Sequence, residues 1–321
     1  MKRVVVALVG CTASGKTAVG ELVARSLDGE VVCADSRQVF RELDIGTGKP
    51  SAAERAARPH HLFDSLSVAA YGPAAGDAPR ATAGWYARAA RAACAAVHAR
   101  ERVPVLVGGS GLYLRAAREG LAPTPEVDPA IRERLQGELA VQGAAALHRR
   151  LADRDPAAAR TIHAADAQRI TRALEVIEST GYGLAWWRER PATAAVEGRW
   201  RAFLLAVPPE ELRRRIERRT RWMFENGLID ETRMLIQHGL RPALAALRAI
   251  GYDEALALLA GDIERPAAEQ RTRLRTAQLA KRQRTWFRHQ MRTERTERID
   301  VSGDSDEQLA ARVIAHLRRA G

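Results

Sequence analysis

Residues 4–17 read VVVALVGCTASGKT. An apolar run closes on a glycine, four residues follow, and Gly15-Lys16-Thr17 opens a helical pattern. Short, near-continuous runs of Val and Leu belong to strands buried on both faces, the habit of parallel sheets. The spacing Gly10-x4-Gly15-Lys16-Thr17 is the phosphate-loop pattern. Such a loop works only between a strand and a helix, because successive backbone N–H groups must turn inward beside a helix N-terminus. This stretch alone therefore predicts a P-loop NTPase-like α/β fold. Gly10, Cys11, Thr12, Ala13, Ser14, Gly15 and Lys16 are expected to cradle anionic oxygens, and the Thr17 hydroxyl to ligate Mg²⁺. The pattern does not say whose phosphates are held.

Two further apolar runs end alike. Glu30–Ala34 stops at Asp35, and Val103–Val107 stops at Gly108-Gly109-Ser110. Helical patterns over Lys16–Leu27 and Ala81–Arg100 separate the strands. This alternation predicts a doubly wound parallel sheet, whose ligands lie beyond the carboxyl ends of the strands. The loop, Asp35 and Ser110 are thus expected to converge on one cleft. Asp35 there suits a general base or a magnesium ligand, although Asp-Ser is also a common helix cap. The stretch GGSGLYL (108–114) lets backbone approach a ligand, with Ser110 as a polar reader; it is also an ordinary strand-to-helix turn.

After Pro123 the pattern becomes helical as far as about Glu189, a strand returns at Ala202–Val207, and helices follow from Pro209. We divide the chain into 1–122, the first part of the P-loop core; 123–200, an inserted all-helical domain; and 201–321, the second part of the core with basic C-terminal helices. Arg271–Arg298 carries ten basic residues against Glu294 and Glu297. Within it LAKRQRTWFR (279–288) interleaves cations with Trp286 and Phe287. At helical spacing Leu279, Gln283, Trp286 and Phe287 face the core, leaving Lys281, Arg282, Arg284 and Arg288 for solvent or phosphate. The formal net charge of +12 agrees with a polyanionic partner, as does a merely basic surface. Cys11, Cys33 and Cys94 lie far apart without a CxxC pair, which fits a reduced, cytoplasmic protein with neither a disulfide framework nor a zinc site. No apolar run approaches the ~20 residues of a membrane span, and the first strand begins where a signal peptide would stand.

Taken together, GCTASGKT, ADSRQVFRELDIGTGKP (34–50), PHHLFD (59–64), VLVGGSGLYL (105–114), HAADAQRITRALEV (163–176), RIERRTRWMFENGLIDE (215–231), AIGYDEAL (249–256) and TAQLAKRQRTWFR (276–288) resemble the tRNA dimethylallyltransferase family. They follow the family's order over nearly the whole chain. The resemblance implies a bacterial-type enzyme, expected to be monomeric, that moves the dimethylallyl group of dimethylallyl diphosphate to the exocyclic amine of the adenosine 3′ of the tRNA anticodon. It implies that the loop, Mg²⁺ and Arg219 hold the diphosphate, that Asp35 is the catalytic carboxylate, and that Ser110 stands near the acceptor where the family usually has Thr. It further implies tRNA contacts at Asp35, Ser36, Arg37, Gln38, Ser110, Arg132, Gln168, Arg169, Ile170, Thr171, Arg172, Arg248, Gly251, Tyr252, Lys281, Arg282, Arg284 and Arg288. The adenine must leave its stack to react. Departures from the family pattern are Cys11 for proline, Phe40 for tyrosine, Gly48 for alanine, and Ala164, Ala165 and Ala167 in place of a proline-flanked turn.

Three other readings fit parts of the chain. A P-loop kinase would use Asp35 on a phosphoryl acceptor, but its third strand would be expected to end in a metal-binding acid. A prenyltransferase acting on free AMP or ADP would lack the basic C-terminal helices. An RNA-binding module without activity has no use for Gly15-Lys16-Thr17 and Asp35.

Overall fold

The computed structural model describes residues 3–72, 76, 78–291 and 296–319. The chain forms two compact units, Met1–Arg118 with Ala195–Gly321, and Glu119–Ala194. In the larger unit the elements run β1 (Val4–Gly10), α1 (Lys16–Ser26), β2 (Glu30–Cys33), α2 (Ala52–Ala57), β3 (His60–His61), α3 (Ala83–Ala99), β4 (Pro104–Gly108) and α4 (Gly111–Glu119). The smaller unit carries α5 (Pro129–Arg154), α6 (Pro156–Thr161), α7 (Ala167–Thr180) and α8 (Leu184–Arg188). The chain then returns through β5 (Arg199–Ala206), α9 (Pro209–Glu225), α10 (Leu228–Gln237), α11 (Arg241–Leu247), α12 (Tyr252–Leu259), α13 (Arg265–Gln290), β6 (Thr296–Asp300) and α14 (Asp306–Arg319).

The strands make one sheet in the order β3-β2-β4-β1-β5-β6, with every pair parallel. The expected alternation is thus met. β1 lies between β4 and β5, with Val9 opposite Gly108 on one side and Leu204 on the other. Its apolar run is explained by its place, since Val5 to Val9 are at most 1% exposed. One core cluster centres on Val5, Val9, Phe40 and Tyr252, and a second on Val6, Leu8, Phe203 and Val313. Alternate residues of β1 feed the two, as the two-residue period of a strand requires.

Sequence reading missed two strands and mistook one residue. β3 has only two residues, and β6 (TERID) is polar except for Ile299, so neither carries an apolar run. β2 opens not on an apolar residue but on buried Glu30, whose carboxylate takes Arg100 and His61. The Arg100 hydrogen bond and then His61 hold its pKa down at about 2, against the pull of burial. Its ionised form therefore supports the fold above the ordinary glutamate range, and that support fades as pH falls toward 2.

In the smaller unit α5 breaks at Gly143 (φ 77°). The two parts and α7 pack on Leu135, Leu147, Leu151, Ile170 and Leu174. Arg134 and Arg150 each bridge Glu138 and Glu178 across this hairpin. No helix among the described residues is long and apolar enough to cross a membrane.

Candidate active site

β1 delivers Gly10 to the middle of the sheet's carboxyl edge. The loop then reverses through two left-handed residues, Ala13 (φ 61°) and Gly15 (φ 87°), the second capping α1. Glycine adopts this conformation without the cost a side chain meets. The Ser14 N–H closes the turn on the Cys11 carbonyl at 3.3 Å. Lys16, 9% exposed, lays its Nζ across the loop and donates to the Cys11 carbonyl at 3.3 Å. Burial pulls its pKa below the ordinary lysine value, and Arg219 adds to the effect; the Asp35 carboxylate opposes both.

Arg219 comes from α9, eleven residues after Pro208 begins to turn the chain out of β5. It is surrounded by protein yet partly accessible. Its Nη2 donates to the Thr47 carbonyl at 2.7 Å. Burial disfavours its charge as well, with Asp35 again opposing. Gly48 (φ 59°) leaves room for it, because a Cβ there would stand 2.7 Å from Nη2. The turn 43–49 that offers these carbonyls is itself tied down. The Glu231 carboxylate accepts the Ile45 N–H at 3.0 Å, the Tyr252 hydroxyl accepts the Gly46 N–H at 3.2 Å, and Tyr252 donates to Glu231. Lys49, its side chain fully buried, donates to the Phe40 carbonyl at 2.8 Å and pairs with Asp44 and Asp64.

Asp35 follows β2. Its Oδ1 accepts the Arg37 N–H at 2.9 Å, the N-cap-like use the sequence also allowed. Ser110 follows β4 and receives the Ser36 N–H on its Oγ at 2.8 Å, so its hydroxyl proton stays available for donation. Gln38 donates to the Thr47 and Gly48 carbonyls at 3.2 and 3.0 Å, and Arg37 to the Leu247 carbonyl at 3.1 Å. The loop, Asp35, Ser110, Gln38 and Arg219 therefore belong to one connected site at the carboxyl edge. Asp35 sits within the electrostatic reach of both Lys16 and Arg219.

Other expected residues lie on other elements. In the smaller unit Arg132 and Arg172 meet around buried Glu175, each at 3.4 Å. Gln168 and Arg169 are exposed beside them on α7. Ile170 has no exposed surface, and the Thr171 hydroxyl is bound back to the Ala167 carbonyl. Gly251 and Tyr252 are both buried, and the Tyr252 hydroxyl serves the 43–49 turn. Arg248 is exposed in a left-handed conformation (φ 51°).

On α13 Phe287 is buried and Trp286 packs against the core, leaving Lys281, Arg282 and Arg288 exposed and Arg284 half-buried. Lys281, Arg284 and Arg288 line a groove of about 720 Å³ against Leu212 and Ile216 of α9. The charge of the segment is less one-sided than its sequence, because Arg273 pairs with Glu217, Arg275 with Asp253 and Glu254, and Arg298 with Asp300. Arg292 and Arg295 lie outside the described residues.

Sequence reading missed three contributors. The 43–49 turn seats Arg219 on the Thr47 backbone carbonyl, which no side chain marks in the sequence. Arg215 donates to the Ser14 carbonyl at 3.2 Å and looked like one arginine among many. Gln283, read as core-facing, reaches the phosphate loop. The Thr12 N–H donates to its Oε1 at 2.8 Å, and its Nε2 donates to the Gly109 carbonyl at 3.0 Å.

Fold and loop define a P-loop protein of the parallel α/β class. The IPP transferase family profile matches residues 38–290, and a profile described as isopentenyl transferase matches residues 3–65. The chain belongs to the IPP transferase family. It is similar to the tRNA dimethylallyltransferase of Stenotrophomonas maltophilia, 43% identical over 89% of this chain and 90% of that one. It is also similar to that of Streptomyces avermitilis, 44% identical over 90% and 88%. Among solved structures it resembles the tRNA isopentenylpyrophosphate transferase of Bacillus halodurans, at 31% identity and a TM-score of 0.69 over 99% of this chain and 96% of that one. A eukaryotic dimethylallyltransferase acting on tRNA shares the fold at a TM-score of 0.81 and 23% identity, over 99% of this chain and 79% of that one.

Proposed function

We propose that the protein transfers the dimethylallyl group of dimethylallyl diphosphate to the exocyclic amine of the adenosine 3′ of the anticodon in tRNA. The observation that carries this reading is the pairing of two cations, Lys16 and Arg219, whose hydrogen bonds go to backbone carbonyls and not to carboxylates. Both lie within the electrostatic reach of one carboxylate, Asp35. A desolvated cation without a bonded counter-charge is costly, and an anionic ligand removes that cost. The chemistry needs this arrangement. The amine nitrogen attacks the allylic carbon, the bond from that carbon to the diphosphate oxygen breaks, and the amine proton passes to Asp35. Negative charge gathers on the leaving oxygens, where the loop N–H groups, Lys16 and Arg219 lie. Ser110 has a hydroxyl proton to offer the acceptor.

No three acid, histidine or cysteine side chains cluster as a metal cage among the described residues. Magnesium typically keeps waters and takes substrate phosphate oxygens with few protein ligands, and Thr17 fits that role. Bound there, it would neutralise charge on the departing diphosphate.

Incubation with labelled dimethylallyl diphosphate and either tRNA or AMP tests the reading, with ATP alone as the kinase control. Label is expected only in tRNA, without ATP consumption. Transfer to AMP, or an ATP-dependent product, would replace the proposal.

The tRNA assignment makes a second demand. Each phosphate contact contributes a salt slope of about −0.7 to −0.9. Replacing Arg284 and Arg288 by Ala should weaken tRNA binding and flatten its dependence on salt, with donor affinity, measured without tRNA, changing less. Equal slopes in variant and parent, measured over a salt series, would show that these arginines only solvate a surface.

A further inference from the structure

The helix with the RNA-facing cations is also joined to the donor loop. Gln283 lies on α13 between Arg282 and Arg284, and its amide spans two strand ends. Its Oε1 accepts the Thr12 N–H at 2.8 Å, and its Nε2 donates to the Gly109 carbonyl at 3.0 Å. Gly109 leads into Ser110, which receives the Ser36 N–H next to Asp35. One side chain thus connects the phosphate loop, the turn after β4 and the helix carrying Lys281, Arg282, Arg284 and Arg288.

The fit is close on both sides. A Cβ on Gly109 would stand 2.6 Å from the Gln283 amide nitrogen, and a Cβ on Gly111 would stand 2.3 Å from the Trp286 ring. Gln283 and Trp286, one turn apart, key the same face of α13 into this glycine turn, and Phe287 anchors the helix in the core. A displacement of α13 by part of an ångström therefore moves the Thr12 amide. Packed interfaces shift as units rather than deforming freely.

We propose that Gln283 is a positioning residue that couples RNA docking on α13 to the geometry of the diphosphate-binding loop. RNA bound to the cations of α13 holds the helix in one place. Gln283 then fixes the loop in the form that takes the diphosphate, and by linkage a bound diphosphate favours RNA to the same degree. The glutamine amide is already engaged by Thr12 and Gly109, so it acts through the loop. The proposal rests on the tRNA-prenylation reading.

The test uses the full chain, inorganic diphosphate with Mg²⁺ as the loop probe, and an unmodified tRNA. Gln283→Met keeps the length of the side chain and removes both hydrogen bonds. In the parent, saturating tRNA should tighten diphosphate binding by about tenfold, within the usual range of coupling. In the variant that factor should fall toward one. Its tRNA affinity without diphosphate should stay within about twofold of the parent's, since the cations of α13 remain and coupling is the only term removed; a misfolded variant would not retain it. In steady state the donor KM at saturating tRNA and the tRNA KM at saturating donor should both rise, while tRNA affinity without diphosphate holds. Undiminished coupling in Gln283→Met, or a parent without coupling, overturns the proposal while leaving the reaction intact. A parent that prenylates no tRNA removes the underlying reading as well.

Discussion

Asp35→Asn should bind donor and tRNA almost as the parent does, yet turn over at least about 10²-fold more slowly, the scale of a lost general base. The substitution is nearly isosteric. Its Oδ1 can still accept the Arg37 N–H, which holds the parent carboxylate at 2.9 Å, so the backbone after β2 has no reason to move. What disappears is the ability to take a proton from the amine, together with the negative charge that now opposes the desolvation of Lys16 and Arg219. The second loss makes a further demand. Without that charge the two cations are more electropositive, and inorganic diphosphate should bind the variant at least as tightly as the parent. Single-turnover prenylation with saturating donor and tRNA separates chemistry from binding. An unchanged rate constant would make Asp35 a cap for the turn at Arg37 and no more.

Much of this site was legible because the chemistry imposes a local pattern. Gly10 to Thr17 must follow a strand and open a helix, so eight consecutive residues announce both the fold and the anion. Asp35 and Ser110 were placed by one topological rule, that ligands lie beyond the strands' carboxyl ends, and each is found just past its strand. Contacts between distant segments were not legible. Gln283 reaches Thr12 across 271 positions, and Arg219 reaches Thr47 across 172. No local period encodes such partners. Tyr252 shows the same limit. Nothing local to AIGYDEAL indicates that its hydroxyl is bound to Glu231 and Gly46. On α7 the helical period sends Ile170 into the core and leaves Gln168 and Arg169 exposed. β6 escaped because an edge strand facing solvent needs only one apolar residue, here Ile299.

Lys16→Met is the sharper test of what the loop is for. Methionine keeps the unbranched apolar stem and removes the ammonium. If the charge serves the leaving diphosphate, donor turnover should fall by about 10² to 10³, the loss seen when one preorganised donor to a developing oxyanion is removed. Donor affinity should weaken as well. Stability should move the other way. Burial holds the lysine pKa below its ordinary value, so the folded protein favours the neutral form and the charged form costs stability near neutral pH. That cost lessens as pH rises through the lowered pKa toward the unfolded value. The variant, which never carries the charge, should melt no lower than the parent at neutral pH without donor. The pH profile gives an independent reading. In the parent, kcat/KM for the donor should decline on the alkaline side at a pH below that of an ordinary lysine, as the ammonium loses its proton. Lys16→Met should lack this limb. Thermal melts and donor kcat/KM across pH measure both effects. A variant that melts far below the parent and keeps the alkaline limb would mean that Lys16 braces the loop through its bond to the Cys11 carbonyl, and that the diphosphate is held by Arg219 and the loop amides without it.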